Sequence, residues 1–124
     1  MSLADYFEHV KGTGILATSD SDGNVDLAIY ARPHVMDKDT VAFIMSPRLS
    51  YENVQSNPKA AYMFIEQSEE YLGKRLYLEK VREEDDPQLM ESLRRHSPKH
   101  ASGSNEGKHV VFFRVVKTRP LIGG

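Results

Sequence analysis

TVAFIMSPRLSYENVQSNPKAAYMF, residues 40–64, reads as a buried strand, a polar turn, a short helix and a second buried strand. Thr40 to Met45 is an apolar run that reads as a buried strand. The helix runs from about Ser50 to Ser56 and stops at Asn57-Pro58, because the residue before proline is pushed out of the helical region. Ala60 to Glu66 then returns as a strand. Ser46, Arg48 and Ser50 fall just where the helix should begin. A helix N-terminus exposes unpaired N–H groups and a partial positive charge, and so attracts phosphate. An arginine fork and hydroxyl donors beside it would complete an anion site. The same residues have a plainer reading, with Ser50 as the helix cap and Arg48 as a solvated side chain.

Towards the N-terminus, residues 2–10 have helical spacing. Ser2 and Asp5 form a capping arrangement, and Leu3, Tyr6, Phe7 and Val10 share one face. Lys11-Gly12-Thr13-Gly14 reads as the helix end, where glycine suits a left-handed residue. Ile15 to Thr18 is a strand, and the Asp22-Gly23 turn leads into a second strand from Val25 to Arg32, ended by Pro33. Asp37-Lys38-Asp39 turns the chain into Thr40 to Met45. Strands joined by short turns are most simply an antiparallel meander.

Towards the C-terminus, Gln67 to Gly73 is an acidic loop. Lys74 to Arg82 alternates, with Leu76 and Leu78 on one face and Tyr77 and Glu79 on the other. Glu83 to Asp86 reads as the solvated start of a helix, not a metal site, with Asp86 as cap and Pro87 as first helical residue. Leu89, Met90 and Leu93 give that helix its apolar face. Arg94, Arg95 and His96 match the dipole of its last turn, and with Lys99 and His100 they form a local basic patch. Ser97 to Lys108 is a polar loop, His109 to Lys117 a final strand, and Thr118 to Gly124 an extended tail. The expected fold is α+β and mainly β: about six antiparallel strands with short flanking helices in a small barrel.

The length, 124 residues, suits one domain with a real core. The sequence contains no cysteine, which excludes disulfides, thiolate metal sites and a cysteine nucleophile. With 16 basic and 18 acidic residues the net charge is −2, which gives no support for nucleic-acid binding. The N-terminal MSLADYFEHV lacks the apolar run of a signal peptide, and no run is long enough to span a bilayer. A cytoplasmic protein without membrane or nucleic-acid partners is expected.

In this order of elements the chain resembles the pyridoxamine 5′-phosphate oxidase-like FMN-binding proteins, which have a split β-barrel fold. The resemblance spans nearly the whole chain. SPRLSYENVQSNPKAAYMF carries most of it, and GKRLYLEKVREEDDP supports it. It implies a single six-stranded split-barrel domain over residues 1–124, with FMN held at a homodimer interface. It implies that the ribityl phosphate rests on the turn and helix bearing Ser46, Arg48, Ser50 and Asn53. It implies that the backbone of Ala28, Ile29, Tyr30, Ala31 and Arg32 runs along the flavin edge, and that Arg75, or its neighbour Lys74, meets the ring's polar edge. Family members commonly carry an Arg-Lys pair where this chain has Leu49 and Ser50, with Arg48 one step earlier. That departure, and the short C-terminus, argue against pyridoxamine 5′-phosphate oxidase activity itself.

The implied function is an FMN-dependent oxidoreductase acting on a small molecule. The alternative is a flavin- or haem-binding module of the same fold without turnover, for which His34 or His109 would serve as the haem ligand. Tyr30 has two readings, core packing or contact with the ring, and Asn53 either fixes the turn or faces water. His96 and His100 have a metal-like spacing that Pro98 breaks. Tyr62, Phe64, Phe112 and Phe113 are barrel or interface positions.

Overall fold

The computed structural model describes residues 2–95 and 107–124. In chain order the elements are α1 (Leu3–His9), β1 (Gly12–Ser19), β2 (Val25–Ile29), β3 (His34–Val35), β4 (Thr40–Met45), α2 (Leu49–Ser56), β5 (Lys59–Glu66), β6 (Gly73–Glu84), α3 (Pro87–Arg95) and β7 (His109–Pro120). The seven strands form one sheet in the order β2-β1-β5-β6-β7-β4-β3. Every strand pair is antiparallel.

The strand beyond the expected six is β3, which pairs His34 with Ala42 and Val35 with Val41. Two residues carry no periodicity, so only the partner strand reveals it. The expected meander is not formed. β1–β2 and β3–β4 are each hairpins, but β2 and β3 stand at opposite ends of the sheet. Short turns fix hairpins, not the order in which hairpins assemble.

The Asp20–Asn24 turn forms as its chemistry requires. The Asp20 carboxylate accepts from the backbone N–H of Asp22 and of Asn24, both at 2.9 Å, and Gly23 has φ +86°. Gly12 and Gly14, by contrast, do not end α1. They lie within β1, paired with Glu66 and Phe64 of β5. A β-carbon on Gly14 would overlap the Tyr62 hydroxyl, so the glycine is there for close approach, not for a left-handed cap.

The sheet curls on itself. The Phe43 ring of β4 lies 5.1 Å from the Tyr62 ring of β5, although β6 and β7 separate the two strands in the sheet. Leu16, Tyr62, Phe64, Leu76, Phe43 and Phe113 fill the interior, closed at one end by Tyr6 and Phe7 of α1. The opposite face of β4 and β7 has its own cluster, where Ala42, Val110 and Phe112 meet Met90 and Leu93 of α3. Those two strands therefore read as unbroken apolar runs instead of alternating. Tyr62, Phe64 and Phe113 are thus barrel positions and Phe112 packs on the α3 side, each buried within its own chain.

Asp86 caps α3, its carboxylate accepting from the Gln88 N–H at 2.9 Å. Glu83 and Glu84, expected at the helix start, belong to β6 instead. Thr118 to Pro120, expected as the start of an extended tail, continue β7. The patch residues His96, Lys99 and His100 lie outside the described residues.

Candidate functional site

The curl brings the end of β2 towards β4, with the Tyr30 and Phe43 rings 5.8 Å apart, and a cleft lies along that seam. One part, of about 330 Å³, lies between the end of β2 (Ala28, Ile29 and Tyr30) and the turn carrying Ser46, Arg48 and Ser50. A smaller part, of about 130 Å³, continues past Tyr30 along Ala31, Arg32 and His34 to Arg94 and Lys108. Tyr30 and Ile44 line both.

β2 stops at Ile29, short of the expected Arg32, for local reasons. The Tyr30 N–H still reaches the Gly14 carbonyl at 3.0 Å. Beyond it the chain is held by side chains. The buried Tyr62 hydroxyl lies 3.2 Å from the Tyr30 carbonyl and 3.1 Å from that of Ala31, sharing its proton between them. Burial pushes the Tyr62 phenol well above its usual pKa, which keeps it a donor. Arg32 donates to the Phe7 carbonyl at 2.7 Å and to the Val10 carbonyl at 3.3 Å, capping the C-terminus of α1. These partners are uncharged, so the guanidinium keeps its field while its position is fixed.

At the other side of the cleft stands the N-terminus of α2. Its cap residue is Arg48, in extended conformation, with no side-chain capping bond. Ser50, expected as the cap, is instead buried inside the first turn, with its side chain beside the Tyr30 phenol. Burial raises the Tyr30 pKa, and the neighbouring Ser50 opposes the rise. The Arg48 side chain makes no hydrogen bond or ion pair among the described residues. Asn53 is buried and donates to Thr18 Oγ1 at 3.0 Å, tying α2 to β1. It positions the helix and does not line the cleft.

Lys74 and Arg75 are not among the residues lining the cleft of their own chain. The Lys74 ammonium lies 4.7 Å from the centre of the Tyr6 ring. Arg75 donates to the Pro120 carbonyl at 2.8 Å and to that of Gly123. The structure adds lining residues that sequence reasoning passed over: Asp26, Phe43, Ile44 and Lys108. None of the four had a local signal: even Ile44, half-buried between buried Phe43 and Met45, sits in an unbroken apolar run.

The structure closely matches known folds. An FMN-binding protein from Syntrophomonas wolfei subsp. wolfei superposes with TM-score 0.79 at 16% identity, over 99% of this chain and 86% of that one. An F420 reductase gives TM-score 0.73 at 16% identity, over 93% and 94%. A candidate pyridoxamine 5′-phosphate oxidase from Lactobacillus delbrueckii gives 0.70 at 19%, over 94% and 89%. The fold is the FMN-binding split barrel. At such identities the likeness is one of fold. No protein-family model and no curated protein matches the sequence. Among the described residues, no helix is long and apolar enough to cross a membrane.

Proposed function

We propose that this split barrel binds FMN in the seam cleft of a homodimer and acts as an oxidoreductase on a small molecule. The observation that carries the reading is the turn before α2. A helix N-terminus without a side-chain cap, the Arg48 guanidinium, which has no partner among the described residues, and the Ser46 hydroxyl line one pocket, a donor set that suits a phosphate. The backbone of Ala28 to Tyr30 forms its opposite wall. The FMN-binding protein and the F420 reductase of the same fold support a flavin-type cofactor.

Bound flavin supplies the hydride or electron chemistry, and the protein supplies position and field. Arg48 and Ser46 would hold the phosphate. Tyr30, packed edge-on to Phe43 at 5.8 Å, would set the floor between the two parts of the cleft. Arg32 and Lys108 would add positive field at its far end, favouring an anionic reduced ring. The cleft is open on one side, and beside it β2 exposes Val25, Leu27 and Ile29 at 83%, 71% and 73%. A second subunit on this row would wall the cleft and exclude water.

The test is titration of the protein with FMN, followed by the visible spectrum and flavin fluorescence. Shifted flavin bands, with affinity lost in Arg48→Ala, support the reading; a protein indifferent to FMN overturns it. The second reading, a haem-binding module, draws on His34 in the cleft wall. A Soret band on adding haem, removed by His34→Ala, would favour it.

A further inference from the structure

We infer that Glu83, Asp85 and His109 form a binding site for one transition-metal ion of the zinc class, apart from the flavin cleft. One ligand atom from each lies within 4.8 Å of the others. The pairing of β6 with β7 brings them together from distant positions. Glu83 is near the end of β6, Asp85 follows that strand, and His109 opens β7. His109 Nδ1 lies 3.6 Å from Glu83 Oε2 and contacts Asp85 Oδ1. None of the three lines the cleft.

The imidazole is held in place before any ion arrives. The Tyr51 ring stacks on it at 4.3 Å with 9° between planes. The same tyrosine donates its hydroxyl to Glu83 Oε2 at 2.6 Å. Stacking restrains the ligand ring, and the Tyr51 hydroxyl is an outer donor that fixes a ligating carboxylate, as outer partners do around metal centres. Zinc binds nitrogen and oxygen at about 2.0–2.2 Å, which puts tetrahedral ligand atoms roughly 3.5 Å apart. Only a small contraction of the present cluster is needed, and exposed Asp85 is free to make it. One imidazole with two carboxylates selects zinc, cobalt or nickel over magnesium and calcium, which favour all-oxygen sites. Three protein ligands leave a fourth position open to water.

Lys80 weakens the site. Its ammonium lies 2.7 Å from Glu83 Oε1, on the carboxylate oxygen not facing the histidine. A cation there repels a metal ion. The site therefore has one lever that an ordinary ion-pair cluster lacks: removing Lys80 should tighten it.

The experiment is calorimetric titration of the full chain with ZnCl2, without FMN, paired with the visible spectrum of the Co2+ form. Wild type should bind one ion with a Co2+ absorption band of low-symmetry, four-coordinate type. Asp85→Asn should weaken binding at least tenfold. His109→Gln should abolish the band, and Lys80→Met should tighten binding several-fold. Asp85 is exposed, so its variant keeps the test sound if His109→Gln misfolds. Equal affinity in wild type and Asp85→Asn, no one-to-one binding in wild type, or unchanged affinity in Lys80→Met would overturn the proposal.

Discussion

Gly14 has no side chain because Tyr62 occupies that space: a β-carbon at position 14 would overlap the tyrosine hydroxyl. The contact fixes where β2 leaves the sheet, since that hydroxyl holds the Tyr30 and Ala31 carbonyls at the cleft floor. Gly14→Ala is expected to cost about 1–3 kcal/mol through overpacking. Tyr62→Phe removes only the hydrogen bonds and should cost about 1 kcal/mol. Chemical denaturation measures both. A Tyr62→Phe loss as large as that of Gly14→Ala would mean that the hydroxyl's hydrogen bonds, not the room left for it, dominate.

Arg48→Ala should raise the FMN dissociation constant about 10- to 100-fold, the worth of a charge-assisted hydrogen bond of about 1.5–3 kcal/mol. The residue is exposed, so its loss should leave stability within about 0.5 kcal/mol of wild type. Affinity and melting temperature, measured together, check this. Unchanged affinity would remove Arg48 from the site.

Glu83 gives the fold an acid-sensitive joint. Partial burial pushes its carboxyl up, but hydrogen bonds from Lys80, Tyr51 and Gln55 and the Lys80 charge outweigh that and hold it at about 2. A carboxylate depressed in the folded state stabilises it above the unfolded pKa of about 4.5, and the contribution fades as pH falls towards about 2. Glu83→Gln should therefore destabilise the protein at pH 7 by on the order of 2 kcal/mol, and the gap should close in acid. A melting-temperature difference constant from pH 7 to pH 3 would contradict this.

Leu27→Lys tests the proposed subunit contact. Leu27 is 71% exposed on β2, so the folded chain should tolerate the charge while a dimer seated there should not. Light scattering should report a shift from dimer to monomer, with FMN affinity falling alongside. An unchanged dimer would move the interface elsewhere.

Much of this fold was legible because its signals are local. Asp86-Pro87, Asn57-Pro58 and the Asp20 turn each state their own geometry, and Leu76 with Leu78 names a buried face. What stayed hidden depends on partners far along the chain. His34 and Val35 become a strand only because Ala42 and Val41 stand opposite. Ser50 looks like a cap until the Tyr30 phenol is placed beside it. Arg32 looks available to a ligand until the end of α1 is seen to hold it. The cleft residues Ser46, Arg48 and Tyr30 could be proposed from motif order, whereas Lys108 carried no local signal at all.

The strand order has a consequence for time as well as shape. The cleft walls come from β2 and from β3–β4, at opposite ends of the seven-strand sequence of pairings. Neither wall finds the other until β1, β5, β6, β7 and β4 have paired in turn. Such non-local closure belongs late in folding. A ligand in the cleft therefore meets a chain already past its transition state. It is expected to slow unfolding and leave the folding rate nearly unchanged, so that it guards the native state without helping to make it.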